Sequence, residues 1–438
     1  MPTFTGASTL TDTTLGLALG PALTPDGATL RAGFFHGFAT RPQVLARGLL
    51  VLADVTATRY VNYTPASLRD PVLTANGDRL RAECFSACNG VYARLDLLGD
   101  GFDGGDIGLG TTNVDIGTTM RRQLSAMRRS DLLHLDVGVA GMALSQPGTT
   151  SVERPVDMPD RWIRALGNTA EMHRGLRRAL DCDAAAARRF LAALPPVTGV
   201  ARSGWLTADR SGVRIATRPA RDAVHVAGLH RLAAAKRLLP HVQGLTLYGP
   251  ADPVPGPVAV EVHLPAGRLT LGLTEEPWRG HSGEGALLPA LAAPTVMEDA
   301  ELISAILAFD PVVDVSRLAR ESALDDGAVR DALAVLASSG RVGWDLHDNA
   351  WFHRELPDDP DRALADNPRL VAARALVDDG AVTDDGGEVW TVRTARGDHR
   401  VTRSPDRCTC TWYLRHAGRR GPCKHQLAVR ITRKDALT

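Results

Sequence analysis

Four side chains near one end of the sequence limit its fold more than any other feature. They are Cys408-Thr409-Cys410 and, after twelve residues, Cys423-Lys424-His425. Residues two apart on a β-strand project to the same side, so a strand over about Arg407–Trp412 turns both cysteines toward one ion. Gly421-Pro422 then opens a helix over Cys423–Arg433, because proline suits a first helical turn. This brings Cys423 and His425 to the helix start. Three thiolates and one imidazole form a closed four-coordinate set, the signature of a structural Zn²⁺ and not a catalytic one, which keeps a position for water. His416, inside the loop, competes as a ligand, but the paired spacing favours His425. The apolar residues here are few: Val401, Trp412, Tyr413, Leu414, Leu427, Val429 and Ile431. So small a unit needs a metal to supply folding energy.

Arg407, Arg415, Arg419, Arg420, Lys424 and Arg430 surround these ligands, with Trp412 and Tyr413 interleaved. Residues 396–438 carry 11 Lys/Arg against 3 acidic residues, whereas residues 301–395 carry 19 acidic residues against 9 Lys/Arg. A basic end beside an acidic segment has two readings. The charges neutralise each other or face water, or the basic surface meets an anionic partner through phosphate contacts and stacking. The whole chain has a formal net charge of +0, so no global field draws it to nucleic acid.

The length of 438 residues allows two to four domains, and a hydrophobic fraction of 44% suffices for ordinary cores. No apolar run reaches the ~18 residues of a membrane span. Met1–Leu10 has neither a basic start nor a long apolar stretch, so no signal peptide is expected and the expected location is the cytoplasm, where thiols stay reduced. Gly99–Thr112 is rich in glycine but lacks the phosphate-loop pattern, and Asp100, Asp103 and Asp106 would repel phosphate. It also lacks the glutamate that closes a calcium loop.

The expected fold class is α+β and multidomain. Residues 1–195 read as a mixed α/β domain. Val44–Ala57 is ambiguous between helix and strand, Val91–Leu98 and Leu132–Val139 alternate as strands, and Thr119–Arg129 places Met120, Leu124 and Met127 on one helical face. Gly99–Thr112 is expected to be a connection, and 158–193 helical. Residues 196–295 read as a small α+β unit, with strands at Gly212–Thr217, Ala223–Gly228 and Leu245–Tyr248. A helix at Leu229–Leu239 stops at Pro240, and a hairpin turns at Pro265-Ala266-Gly267. Residues 357–387 form an acidic connector, and 388–438 a hairpin, the metal ligands and a helix.

Residues 296–356 read as a winged helix: helices at Ala300–Phe309, Val315–Glu321 and Ala328–Ser338, then strands Arg341–Asp345 and Ala350–His353 as the wing. The third helix offers Asp326, Arg330 and Asp331, only one of them basic. That is poor equipment for reading a DNA groove, and it favours a protein-contact or structural role.

The CxC and CxH pairs that follow a hairpin resemble the SWIM zinc finger over Glu388–Ile431. The stretches Arg81–Tyr92 (RAECFSACNGVY) and Gly110–Asp115 (GTTNVD) are similar to the N-terminal region of bacterial SWIM-finger proteins of the actinobacterial type. Relatives of that type are often encoded beside a MoxR-type AAA+ ATPase and a von Willebrand A domain protein, so the resemblance implies such partners. The expectation is therefore a non-catalytic, zinc-binding interaction adaptor. The alternative is a DNA-associated protein that uses the basic finger and the winged helix.

Three further features are weighed against this reading. Cys84 and Cys88 are spaced like half a metal site, but no second pair follows, which favours buried packing. Cys182, among alanines and leucines, is expected in a core. Thr274–Glu284 gathers Glu275, Glu276, Trp278, Arg279, His281, Ser282 and Glu284 without the GxSxG pattern of a nucleophile, so it reads as a partner-contact loop before an active site.

Overall fold

The computed structural model describes residues 33–61, 71–138, 140–156, 158, 160–198, 201–209, 212–281, 287–292, 295–308, 310–354, 356, 367–418 and 420–435, with four short strands between residues 9 and 29. It is α+β, with several antiparallel sheets. The first half contains β1 (Gly33–Ala39), α1 (Pro42–Thr56), β2 (Val72–Asn76), β3 (Arg79–Phe85), β4 (Val91–Leu98), β5 (Phe102–Ile107), β6 (Leu109–Asn113), α2 (Thr118–Ala126), β7 (His134–Gly138), β8 (Gly141–Gln146) and β9 (Thr149–Glu153). There follow α3 (Asp160–Arg174), β10 (Arg177–Asp183), α4 (Ala184–Ala193), β11 (Gly204–Asp209), β12 (Gly212–Ala216), β13 (Val224–Val226), a 3₁₀ run over Leu229–His241, β14 (Gly244–Gly249), β15 (Val258–Leu264) and β16 (Gly267–Leu273).

One eight-stranded sheet, in the order β6-β2-β3-β4-β16-β15-β14-β10, spans both of these stretches. Residues 1–195 and 196–295 therefore share a sheet. Its halves echo each other: α1 leads into the meander β2-β3-β4, the 3₁₀ run leads into β14-β15-β16, and the meanders meet where β4 pairs with β16. Five other strands form a second sheet, β9-β8-β7-β1-β5.

The ambiguous Val44–Ala57 segment is helical. Pro42 opens it, and Val44, Leu45, Ala46, Leu49–Ala53 and Val55 are buried around nearly the whole circumference, the pattern of a helix inside a core. Three local expectations are corrected. Gly99–Thr112 is largely strand, because glycine lets β5 run against β1 where a side chain would not fit: a Cβ at Gly105 would lie 1.9 Å from the His36 carbonyl oxygen. The 158–193 stretch is interrupted by β10, the edge strand of the large sheet. Cys182 lies on that strand and is half-buried, not in a helical core.

The large sheet is buried on both faces. Along β3 and β4 the apolar side (Leu80, Ala82, Cys84; Ala93, Leu95, Leu97) joins the main core with α1. The opposite side carries Arg79, Arg81, Glu83, Tyr92, Arg94 and Asp96, also buried. The next part of the chain holds α5 (Leu288–Leu291), α6 (Val296–Ile306), α7 (Val315–Ser322), α8 (Asp326–Ser338) and the hairpin β17 (Val342–Asp345) and β18 (Ala350–His353), and it is the hairpin with its flanking residues that covers that charged side. Asp345 sits 2.6 Å from Arg81, 2.9 Å from Arg268 and 3.1 Å from Arg94, while Asp96 bonds Arg81 and Arg94 at 2.8 Å each. Arg354 pairs with Glu83 at 2.9 Å, and Phe352 lies under the Arg81 guanidinium at 4.0 Å. Buried charges persist only when paired and hydrogen-bonded, and here sheet and cover each supply part of the pairing. The helix α3 reaches α8 at Gly167, where a Cβ would lie 2.3 Å from the Ala337 carbonyl oxygen.

The last part has α9 (Pro368–Asp378) and a four-stranded sheet, β19 (Val382–Gly386), β20 (Val389–Thr394), β21 (Gly397–Arg403) and β22 (Asp406–Cys408). It ends in α10 (Thr411–His416) and α11 (Lys424–Asp435). The strand expected over Arg407–Trp412 stops at Cys408, and a short helix begins at Thr411.

Candidate metal centre

Cys408 ends β22, Cys410 caps α10, Cys423 immediately precedes α11, and His425 lies in its first turn. The two-residue spacing of the first pair therefore works through a strand end and a helix cap, not through one continuous strand. Cys410 Sγ accepts the Tyr413 backbone N–H at 3.4 Å, and Cys423 Sγ accepts that of Gln426 at 3.4 Å. Both helix starts thus aim a sulfur inward and satisfy it with an otherwise orphaned donor.

One donor atom from each of the four residues lies within 4.8 Å of the others. His425 Nδ1 is 3.7 Å from Cys408 Sγ and 4.0 Å from Cys423 Sγ. Bonds of ~2.3 Å to sulfur and ~2.0 Å to nitrogen in a tetrahedron put S and N ~3.6 Å apart, so the donors stand close to the positions zinc requires. All four residues are buried, with at most 4% exposure, which leaves no open position for a reacting water. The donor set is consistent with one zinc ion.

The electrostatics of the bare cluster point the same way. The Cys423 thiol, hydrogen-bonded by Cys408, is held down to about 4 despite burial. Cys408, whose thiol gives its proton to that bond, is pushed far up, and burial raises Cys410. A divalent ion among them would hold all three sulfurs as thiolates. Asp406 braces the assembly: its carboxylate accepts from Gln426 Nε2 at 2.6 Å and from Arg430 at 2.7 Å, and its carbonyl accepts from Tyr413 Oη at 3.0 Å. Asp406 carried no signal in the ligand spacing and was not expected as a site residue.

The expected contact residues are differently placed. Arg407 and Arg415 are exposed, Arg420 and Lys424 half-buried, and Arg419 lies outside the described residues. Trp412 is held between the Arg369 guanidinium at 4.6 Å and the His416 ring at 4.4 Å. His416 is therefore a stacking partner of Trp412, and the four-donor cluster does not include it. Arg420 pairs with Glu276 at 3.1 Å, which ties the 274–281 loop to the finger. In that loop Trp278 is 69% exposed, while His281 is buried, its Nδ1 3.0 Å from the Asn89 carbonyl oxygen, and burial pushes it down to about 4. Ser282 and Glu284 lie outside the described residues.

The second half of the third helix and much of the hairpin of the 296–356 unit are also committed within the molecule. Ala332–Ser338 of α8 is buried, and so are Asp345, Trp351, Phe352 and His353 of the hairpin. Arg330 pairs with Asp326 at 3.0 Å. Cys84 is buried, its Sγ 3.5 Å from the Leu52 carbonyl oxygen, and Cys88 is half-buried.

Comparison with known proteins gives a limited result. No protein-family model and no curated protein sequence matches the chain. Among solved structures it is similar to the proliferating cellular nuclear antigen of Entamoeba histolytica, with 14% identity and a TM-score of 0.37, covering 55% of this chain and 98% of that one. It is also similar to the PCNA2-PCNA3 complex of Sulfolobus tokodaii, with 9% identity and a TM-score of 0.40, covering 55% and 98%. Among the described residues no helix is long and apolar enough to cross a membrane.

Proposed function

We propose that this chain is a non-catalytic interaction adaptor whose C-terminal part is a SWIM-type finger closed by one structural Zn²⁺, working beside a winged-helix-like unit in a reducing compartment such as the cytoplasm. The observation that carries the reading is the closed, buried Cys3His donor set, which offers structure and no vacant coordination site. A protein partner is favoured over nucleic acid because the open first half of α8 offers one arginine between two aspartates, the rest of α8 and the hairpin are largely buried, and Trp412 is already engaged by Arg369 and His416. Two large apolar side chains of this part are open to a partner. Leu414 is 71% exposed on α10 and Trp278 is 69% exposed on the loop joined to the finger by Arg420; apolar and aromatic anchors with nearby arginines suit protein contacts. The partners fitting the family resemblance are a MoxR-type AAA+ ATPase and a von Willebrand A protein.

Titration of the purified zinc-loaded chain with each of these two proteins tests the reading. Binding is expected, and Trp278→Ala with Leu414→Ala should weaken it at least tenfold with zinc content unchanged. Binding to neither, with salt-sensitive binding to duplex DNA through the exposed Arg407 and Arg415, would replace this proposal by the DNA-associated one.

A further inference from the structure

Away from the finger, a second group of donors converges where the β17–β18 turn meets the large sheet. Glu261 and His263 are two residues apart on β15 and so face the same side, and His347 reaches them from the turn. One donor atom from each lies within 4.8 Å of the others. Glu261 Oε1 is 2.9 Å from His347 Nδ1 and 3.4 Å from His263 Nε2. Ligand atoms ~2.1 Å from a metal stand ~3.0 Å apart in an octahedron and ~3.4 Å apart in a tetrahedron, and the two observed separations bracket that range.

His263 Nε2 also lies 3.1 Å from Thr246 Oγ1, a contact that an ion would displace, and hydrogen bonding leaves one carboxylate oxygen of the group over. Glu261 is fully buried, yet among the described residues its Oε2 accepts no hydrogen bond, and Arg268 Nε stands 3.9 Å off. A buried carboxylate oxygen without a donor is costly, and a cation beside it removes the cost. The side chains of His263 and His347 are 36% and 49% exposed, so an ion has a path from solvent. Around the cluster, Asp348 offsets Arg268 at 3.4 Å, and Asp181 occupies Arg178 at 2.5 Å, so the neighbouring arginines are already engaged by carboxylates.

We infer that Glu261, His263 and His347 form a second metal site, an open two-histidine, one-carboxylate site for a divalent transition ion of the Zn²⁺, Co²⁺ or Ni²⁺ class. Imidazole and carboxylate select those ions over the thiol-seeking ones. With three protein ligands and solvent access it binds more weakly than the closed finger and exchanges its ion. Because its ligands come from both sides of the seam, an ion here clips the hairpin to the sheet.

The test uses the tag-free full chain already loaded with one zinc, titrated with Co²⁺ and followed by calorimetry and visible absorption. One additional equivalent is expected, with d–d bands and no thiolate-to-cobalt charge transfer. His263→Gln and His347→Gln, both at solvent-accessible positions, should each abolish that equivalent and keep the finger's zinc. Free Zn²⁺ should raise the melting temperature of the wild type and of neither variant. A wild-type chain that takes no second ion overturns the inference, as does a second equivalent retained in both variants.

Discussion

Replacing Asp345 by Asn tests whether the seam between sheet and cover is a dry ion network. The side chains of Arg81 and Arg94 are 0% exposed, that of Arg268 is 7%, and all three converge on this one carboxylate, itself 1% exposed. Without its charge they share Asp96, and Arg268 alone has a second buried carboxylate, Glu261, at 3.9 Å. Breaking one partner of a buried pair typically costs ~3–5 kcal/mol. Asn retains an accepting oxygen, so the loss should lie near the lower end, about 3 kcal/mol, with Asp345→Ala toward the upper end. A loss of ~3 kcal/mol corresponds to roughly 6–12 °C in melting temperature for a domain of this scale. Urea unfolding followed by tryptophan fluorescence is the suitable assay, because Trp344 and Trp351 pack edge to face on the same hairpin with centroids 5.2 Å apart. The pH dependence has a definite sign. The surrounding arginines outweigh burial and hold the Asp345 carboxyl well below its usual range. Its stabilisation is therefore complete above the unfolded pKa of ~3.9 and is lost only as pH falls toward the lower folded value. The gap between wild type and variant should stay constant from neutral pH down to mild acid and close only in strong acid. A loss under ~1 kcal/mol, the worth of an exposed pair, would show that water enters the seam and would refute the argument.

Other perturbations have equally definite expectations. Cys423→Ser, or zinc chelation, should unfold the finger and also weaken the three-helix unit, because Leu427 and Ala428 of α11 belong to that unit's core while Cys423 and Val429 belong to the finger's; intact exchange protection in α6 and α8 after chelation would contradict this. Gly167→Ala should destabilise by ~1–3 kcal/mol through overpacking, since the contact is backbone and cannot rotate away; an unchanged melting temperature would refute the close approach. His173, His281 and His353 are buried, and desolvation lowers all three, His281 to about 4 and His353 to about 3. Each contributes stability that is full above ~6.5 and falls by ~1.4 kcal/mol per pH unit below it, as the unfolded chain takes up the proton first. His353→Gln should flatten the acid slope by ~1.4 kcal/mol per pH unit, the share of one proton, measured by urea midpoints between pH 4.5 and 6.5.

How far the sequence could be read depended on whether a signal was local. The ligand spacing is local, and all four donors converge. The caps of α7 and α8 are local too: Asp314 and Asp325 accept backbone N–H groups as side chains before a helix should. The alternation of β4 was visible, but its meaning was not, and β3 was not read as a strand. Arg81, Glu83, Arg94 and Asp96 on one side of a strand ordinarily announce water, and only the arrival of Asp345 and Arg354 from far along the chain makes that side an interior. Gly99–Thr112 misled for a related reason, since glycine that signals a turn also permits a strand to press against its neighbour. Glu261, His263 and His347 could not be grouped from sequence, because the third ligand stands 84 residues beyond the second.

The charged seam also bears on how such a chain can change over generations. One carboxylate on the cover answers three arginines on the sheet, so no single charge at positions 81, 94, 96, 268 or 345 can be altered without stranding another. Substitution there is admissible only in sets, for instance when a carboxylate and its guanidinium give way together to apolar residues. Relatives that keep the cover should retain these five positions as a block, and relatives that lack it should show them dispersed into ordinary surface residues.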